Sequence, residues 1–181
     1  MEIDEISSRI QIEQVLYRYC RAVDRGDLDL LKSVYHEDAK DYHGPFDGLG
    51  RDFADQLVPR MDNLGVVGQH NVGNILIELT GDAANVESYF LAYHPSLING
   101  SEDVGLAFAA GRYFDRFERR AGEWKIAERR VLIDLSEEPR RSSPWKHAAL
   151  FFAGGRRAAD PTFGAFSCDT QHEVGLPAEA L

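Results

Sequence analysis

Cysteine is scarce in this chain of 181 residues, which has two, Cys20 and Cys168. Two cysteines are too few for a disulfide framework, and their spacing is not that of a zinc site. No run of apolar residues approaches the length that a helix needs to cross a bilayer. These absences disfavour a disulfide-rich secreted domain and a membrane protein, and we expect both thiols to be reduced and structural.

Basic residues are also under-represented, since 20 Lys and Arg face 30 Asp and Glu and give a formal net charge of -10. A surface of this sign repels phosphate backbones and anionic lipids. The opening residues, 1–5, are acidic and lack the basic-then-apolar layout of an export signal. We therefore expect a cytoplasmic protein without nucleic-acid or membrane partners.

The chain does contain enough apolar material, 44% of its residues, for one buried core, although not for two full domains. Apolar side chains recur at helical spacing over 3–23, and Gly26 follows where a left-handed C-terminal cap belongs. A second, short helix is predicted to begin after Asp27 as its N-cap. A third helix is predicted over 52–61, weakened near its end by Pro59.

Beyond residue 65 the hydrophobic period changes from that of helices to that of strands. Four long runs rich in β-branched and aromatic residues predict an antiparallel meander: 66–79, 84–94, 104–119 and 124–135. A shorter strand is predicted over 39–43, followed by a turn over 44–50. Helices before a curved, mainly antiparallel sheet indicate an α+β fold in which the helices cover the concave face, and incomplete coverage leaves a pocket.

The last part of the chain gives no periodic signal. Residues 136–181 are rich in Pro, Gly, Ala and Arg. We therefore divide the chain into an α+β domain over 1–136 and a C-terminal extension over 137–181. The extension could be a lid, an oligomer arm or a partly disordered segment, and its sequence does not choose among these.

Two polar residues stand at the ends of predicted elements. Asp24 lies where the first helix should end, and a carboxylate there opposes the helix dipole, which suggests a special role. His70 lies at the start of the first long strand, and histidine has the side-chain pKa nearest to working pH. One fold could bring the two together as a buried acid and base, which would make an enzyme that needs no metal or cofactor.

Three segments, residues 19–27, 35–39 and 111–126, resemble the SnoaL-like branch of the nuclear transport factor 2 superfamily. The resemblance implies a cone-shaped α+β barrel with its helices on the concave face of the sheet. Relatives of this kind commonly assemble through the outer face of the sheet. We therefore expect a homo-oligomer, with a trimer favoured over a dimer.

Within that superfamily the chain resembles scytalone dehydratase, the bile acid 7α-dehydratase and the hexachlorocyclohexane dehydrochlorinase. All three use an Asp at the end of the first helix and a His on the sheet, the positions that Asp24 and His70 match. Tyr42 matches a pocket tyrosine of the first enzyme, and Tyr19 matches one of the second. Arg129 matches an arginine that lines the pocket of the third enzyme.

The resemblance implies that Asp24 orients His70 and that His70 removes a proton from carbon. The phenols of Tyr19 or Tyr42 and the guanidinium of Arg129 would donate hydrogen bonds to an oxygen on which negative charge develops. These roles are those of an elimination or an isomerisation of a small organic molecule.

Further residues complete the candidate site. His94 ends a strand of alternating apolar residues and could serve as a second acid. Three apolar side chains are expected to contact the substrate: Phe90, Phe108 and Val131. Such a lining suits an uncharged, aromatic or polycyclic substrate. The other four histidines have no supporting pattern: His36, His43, His147 and His172.

The reaction class that we rank first is a cofactor-independent lyase, acting by dehydration or by a related cleavage such as retro-aldol loss of formaldehyde. An isomerase or cyclase acting on a ketone is the runner-up, because the same base could shuttle a proton without losing a leaving group. A non-enzymatic binding module or structural subunit is a third option. A metal enzyme built on His43, His70, His94 and a carboxylate is a further alternative, although the sequence has no His-x-x-x-His pair.

Overall fold

The structure, a computed structural model, describes residues 2–65, 67–99, 101–141, 148 and 153–162. Within these ranges it has three α-helices: α1 (Ile3–Arg25), α2 (Leu28–Ser33) and α3 (Gly50–Leu64). It also has six strands: β1 (Tyr35–His43), β2 (Phe46–Leu49), β3 (Gln69–Thr80), β4 (Ala83–Leu97), β5 (Val104–Arg120) and β6 (Glu123–Arg140). A short 3-10 helix, Arg157–Ala159, follows.

Helix α1 forms where the apolar spacing predicts it. Its first turn carries Asp4 and Glu5, whose charges suit the positive end of the helix dipole. Gly26 ends the helix with a φ of 69°, and its N–H donates a hydrogen bond to the carbonyl of Ala22. The buried side of the helix is mostly apolar and includes Ile12, Val15, Leu16, Tyr19 and Val23. The prediction of this helix and of its glycine cap is confirmed.

Helices α2 and α3 also lie near their predicted positions. Asp27 is the N-cap of α2, and its carboxylate accepts a hydrogen bond of 3.0 Å from the backbone N–H of Leu30. Helix α3 extends beyond the predicted 52–61 at both ends. Pro59 lies inside α3 and does not end it, so the predicted weakening does not shorten the helix.

The six strands form one sheet in the order β2-β1-β6-β5-β4-β3. Strands β3 to β6 pair antiparallel with their neighbours in the chain, which confirms the predicted meander. Strand β1 pairs antiparallel with β2 and parallel with β6. The α+β class is confirmed, with a mixed sheet that has β2 and β3 at its edges and does not close into a barrel.

Two details at the start of the sheet differ from the prediction. Strand β1 begins at Tyr35, ahead of the predicted 39–43, and the predicted turn over 44–50 contains β2. Both strands are stabilised by pairing: β1 has β2 on one side and the distant β6 on the other. Because local composition does not encode a distant pairing partner, the sequence pattern underestimates these strands.

The helices pack on one face of the sheet, and the strands turn alternate side chains toward them. On β4 the inward residues are buried: Ala84, Val86, Ser88, Phe90 and Ala92. Between them, outward side chains are exposed: Tyr89, Leu91 and Tyr93. Helix α1 packs against β3 and β6, and α3 packs against β1. The C-terminal end of α1 consequently lies beside the start of β3.

Strand β6 continues to Arg140, past the predicted domain boundary at residue 136. The first residues of the C-terminal extension therefore belong to the sheet. Residues 153–162 lie against α1 and α3, through hydrogen bonds to both helices. None of the helices in the described ranges combines the length and the apolar character needed to cross a membrane.

Gly111 lies where the register between β5 and β6 shifts. Ala110 pairs with Leu135, whereas Gly111 pairs with Ile133. A Cβ atom at Gly111 would collide with the backbone carbonyl of Leu132. Because this neighbour is backbone rather than a flexible side chain, the close approach of the two strands requires glycine here.

Replacing Gly111 by alanine should lower the free energy of unfolding by about 2 kcal/mol or more, because the added methyl group meets a fixed carbonyl. Gly73→Ala is the matched control, since Gly73 also lies within a strand and a Cβ there would meet nothing within 4 Å. Urea unfolding of both variants and the parent protein measures the difference. Equal losses in the two variants would contradict the close approach at Gly111.

Candidate active site

Asp24 and His70 are joined by two hydrogen bonds. The ring Nδ1 of His70 lies 2.7 Å from Asp24 Oδ1, and the backbone N–H of His70 donates to Asp24 Oδ2 at 3.0 Å. Both side chains are nearly buried, with 9% of Asp24 and 4% of His70 exposed. The structure thus brings together the two residues that the sequence places at the end of a helix and at the start of a strand.

This geometry defines which nitrogen of His70 can react. An ionised carboxylate can only accept hydrogen bonds, so Nδ1 carries a proton that it donates to Asp24. The neutral ring then has its lone pair on Nε2. A proton taken up by Nε2 would leave an imidazolium beside a carboxylate, which stabilises it. The pair can therefore serve as a general base.

His94 lies next to this pair. Its ring meets that of His70 edge to face, with 4.7 Å between the ring centroids. Burial lowers the pKa of His94 to about 3, and the nearby imidazoles of His70 and His43 act in the same direction. Near pH 7 the ring of His94 is uncharged, so it can take part in the predicted role of a second acid only as a neutral hydrogen-bonding group.

His43 belongs to the same side of the sheet, although the sequence suggests it only as an alternative metal ligand. Its ring stacks on that of Phe53, with centroids 4.4 Å apart, and its Nδ1 lies 3.4 Å from Asp41 Oδ1. Asp41 is completely buried and accepts a hydrogen bond of 2.6 Å from the hydroxyl of Tyr35. The signal available in the sequence was the spacing of Asp41 and His43, because residues two apart on a strand share a face.

Arg129 is completely buried on the inner face of β6. Its Nε and Nη2 donate hydrogen bonds of 2.8 Å and 2.6 Å to the two carboxylate oxygens of Asp115. The guanidinium carbon lies 4.1 Å from the ring centroids of both Tyr19 and Tyr113, so the cation is held between two aromatic faces. Among the described residues, Nη1 of Arg129 has no hydrogen-bond partner.

Tyr19, Phe90 and Val131 also lie on the inner side of the sheet. Tyr19 is 1% exposed, and burial raises the pKa of its hydroxyl well above the ordinary value, so the phenol stays protonated. Phe90 is buried and stacks on Tyr113 with centroids 4.5 Å apart. Val131 pairs with Tyr113 across β5 and β6 and packs partly buried against the core.

Two predicted site residues lie on the opposite face of the sheet, and their assignment to the site is wrong. Tyr42 follows the inward Asp41, so it points outward, and its ring lies 5.1 Å from the guanidinium carbon of Arg130. Phe108 pairs with the outward Tyr93, with ring centroids 5.4 Å apart. Neither side chain can reach the Asp24–His70 pair, because the sheet separates them.

A groove of about 830 Å³ lies between α1 and the start of β3, and the Asp24–His70 pair forms part of its lining. The described lining is more polar than the sequence predicts: Gln14, Tyr17, Arg18, Cys20, Arg21, Asp24, Arg25, Asp27, Leu30, Gln69, His70, Asn71 and Val72. The predicted apolar contacts Phe90 and Val131 are not among these described residues. Arginines of α1 contribute much of the polar character.

The sequence also suggests His43, His70 and His94 as possible metal ligands. In the part of the chain that the structure describes, no group of three or more His, Cys, Asp or Glu side chains is arranged to hold a metal ion. The geometry that is present is that of a carboxylate paired with one imidazole.

The fold and the site define a class of protein in which helices cover one face of a mixed sheet and the first helix supplies a carboxylate to an imidazole of that sheet. The family model described as the SnoaL-like domain matches residues 4–130, which is more than half of the chain. The chain therefore belongs to the SnoaL-like family, as its motifs predict.

Relatives of known sequence support this membership. The chain is 31% identical over 132 residues to "Uncharacterized protein Rv2910c" of Mycobacterium tuberculosis, a match that covers 71% of this chain and 87% of the relative. The same figures hold for "Uncharacterized protein Mb2934c" of Mycobacterium bovis. Their names assign no activity.

Solved structures share the fold at lower identity. Hexachlorocyclohexane dehydrochlorinase LinA type 2 superposes with a TM-score of 0.69 at 20% identity and covers 81% of this chain and 99% of its own. The LinA-type3 enzyme of Novosphingobium barchaimii LL02 gives 0.68 at 21% identity, covering 80% of this chain and 100% of its own. A protein of Novosphingobium aromaticivorans DSM 12444, named as a candidate scytalone dehydratase, gives 0.65 at 23%, covering 80% and 97%.

The low pKa of His94 predicts a loss of stability in acid. The unfolded chain takes up a proton on this histidine near pH 6.5, whereas the folded protein does so only near pH 3. Between these values the unfolded state holds more protons, so the free energy of unfolding should fall as pH falls, by about 1.4 kcal/mol per pH unit at most. His94→Asn should flatten this dependence in urea unfolding measured between pH 7 and pH 4. An equal slope in both proteins would show that His94 titrates normally.

Proposed function

We propose that this protein is a cofactor-independent lyase that removes water, or a related leaving group, from a small hydrophobic hydroxylated molecule, with Asp24 and His70 as its general base. The observation that supports the proposal most directly is the contact of 2.7 Å between Asp24 Oδ1 and His70 Nδ1, made by two nearly buried side chains. A buried carboxylate that fixes an imidazole in one tautomer is suited to removing a proton from carbon.

In the proposed reaction, Nε2 of His70 takes a proton from a carbon next to the one that carries the leaving group. The electron pair of the broken carbon–hydrogen bond forms the new double bond, and the carbon–oxygen bond breaks with its pair on oxygen. The proton that His70 took from carbon passes to that oxygen and completes a molecule of water. Asp24 stabilises the imidazolium of His70 until the proton is passed on.

Other inward residues have supporting roles in this proposal. Arg129 is completely buried and is not part of the described lining of the groove, so its role in this proposal is to hold Asp115 and Tyr19 in place rather than to contact the substrate. Tyr19 holds one face of that guanidinium. Phe90 and Val131 pack beside Tyr113 in the core, outside the described lining of the groove, and His94 supplies a neutral imidazole beside His70.

The family relationship also supports a lyase. The name of the LinA proteins describes a dehydrochlorinase, and the candidate scytalone dehydratase is named for removal of water. Both names denote eliminations. Their reactions suggest a class of chemistry for this chain, and the mixed lining of its groove suggests a substrate with both apolar and polar parts.

Isomerisation or cyclisation of a ketone is the second candidate, because a fixed Asp–His base can move a proton between two carbons without loss of a group. The two reactions differ in the mass of the product. A lyase product is lighter by the mass of water or formaldehyde, whereas an isomerase product has the mass of the substrate. A binding subunit would convert no compound.

We predict that Asp24→Asn lowers turnover by about 100-fold or more, because an amide no longer fixes the tautomer of His70 or stabilises its imidazolium. The assay is a mass-spectrometric screen of hydroxylated aromatic and steroid-like carbonyl compounds. Asp29→Asn is the matched control, since Asp29 is an exposed carboxylate on the following helix. If Asp24→Asn converts the substrate at the full rate to a product lighter by the expected mass, Asp24 is not part of the base.

We further propose that the chain forms a homotrimer through the outer face of its sheet. That face carries large apolar side chains that are exposed in a single chain: Tyr89 47%, Leu91 52%, Tyr93 47%, Phe114 42% and Leu132 37%. The rings of Tyr93 and Phe108 lie 5.4 Å apart across β4 and β5, and exposed apolar side chains of this kind favour burial in an interface.

Light scattering should give three times the chain mass of 20.3 kDa. Leu91→Asp should shift the protein toward the monomer, because it places a charge in the apolar surface. Asn85→Asp is the control, since Asn85 is exposed on the same strand outside that set. A mass of one chain at assay concentration would rule out the assembly, and a mass of two chains would replace the trimer by a dimer.

A further inference from the structure

Residues 153–162 cross the C-terminal end of α1, directly behind Asp24. Arg156 makes the central contacts: its Nη1 donates to the backbone carbonyl of Val23 at 2.8 Å and to that of Asp24 at 3.2 Å. Its Nε donates to Asp62 Oδ1 on α3 at 2.8 Å. The side chain of Arg156 is 10% exposed, so these are contacts of a largely buried cation.

The contacts of Arg156 suit the end of a helix. The last carbonyls of a helix have no partner within it, and the negative end of the helix dipole favours a cation. Gly26 makes the approach possible, because a Cβ atom there would lie 2.9 Å from Nη2 of Arg156. The guanidinium therefore replaces the missing helical hydrogen bonds of the turn that carries Asp24.

The segment that carries Arg156 is itself fixed to α1. Arg25 donates to the carbonyl of Gly155 at 3.2 Å and forms an ion pair of 3.4 Å with Asp160. Asp160 is 6% exposed and accepts hydrogen bonds from the backbone N–H groups of Gly155 and Thr162. These contacts close the segment on itself and hold Arg156 over the helix end.

We infer that Arg156 is a positioning residue for Asp24. It fixes the backbone of the last turn of α1, so that the carboxylate of Asp24 stays aligned with both N–H groups of His70. Its catalytic consequence rests on the proposed function, but the effect on the hydrogen bond between Asp24 and His70 does not. The C-terminal extension thereby acts on the site through its contacts with the end of α1. This role is distinct from the lid or oligomer arm that the sequence suggests.

The test is proton NMR of the full-length protein, which observes the Nδ1 proton of His70 without a substrate. The signal is assigned by its loss in Asp24→Asn. In Arg156→Gln we expect this proton to exchange with water about fivefold faster or more, the effect of weakening one hydrogen bond. Arg157→Gln is the matched control: the neighbouring Arg157 is half exposed, and its ion pair within the described ranges is with Asp62.

Two further variants guard against a general loss of structure. Arg156→Lys keeps the positive charge and one donor nitrogen. In this variant the Nδ1 proton of His70 should exchange at a rate between those in Arg156→Gln and in the parent protein. Asp62→Asn leaves Arg156 in place without its carboxylate partner and should raise the exchange rate by a smaller factor. Unchanged exchange in Arg156→Gln, or an equal rise in Arg157→Gln, would overturn the inference.

Kinetics separate this inference from the proposed function. With a substrate from the screen, Arg156→Gln should lower kcat about fivefold with KM unchanged, because the base is misaligned while the groove is intact. If Asp24→Asn retains full turnover, the proposed function fails. The exchange rate in Arg156→Gln would still decide whether Arg156 positions Asp24.

Discussion

The carboxylate of Asp24 ties the first helix to the edge of the sheet by accepting two hydrogen bonds from one residue, His70. A nearly buried carboxylate is costly unless hydrogen bonds replace its water, and both oxygens of Asp24 are satisfied by the same partner. The bond to the backbone fixes where the carboxylate lies, and the bond to the ring fixes the tautomer. The end of α1 and the start of β3 therefore form one unit, and the groove opens beside it.

A second polar layer lies deeper in the fold, around the ion pair of Arg129 and Asp115. Burial of such a pair seldom adds stability, because desolvation offsets the attraction, so its presence suggests a role other than stability. Burial raises the pKa of the Cys20 thiol to about 12, while the cation of Arg129 lowers it and the carboxylate of Asp24 raises it.

Local patterns predicted much of this arrangement. The apolar spacing and Gly26 located α1, and the change of period located β3 to β6, because these signals depend on residues close in sequence. The meeting of Asp24 and His70 was anticipated from the ends of those elements and from the family resemblance. The parallel pairing of β1 with β6 and the short β2 were missed, because pairing between distant segments leaves no local signature.

The errors within the site have a common physical origin, the two faces of a strand. Tyr42 and Phe108 were assigned inward, yet the burial of Asp41 and the pairing with Tyr93 turn them outward. A one-residue difference in register reverses every such assignment, and apolar residues occur on both faces of this sheet. Arg156 shows a different limit. It binds backbone carbonyls, which every residue possesses, so no pattern of side chains in the aperiodic C-terminal part could indicate that the end of α1 was its partner.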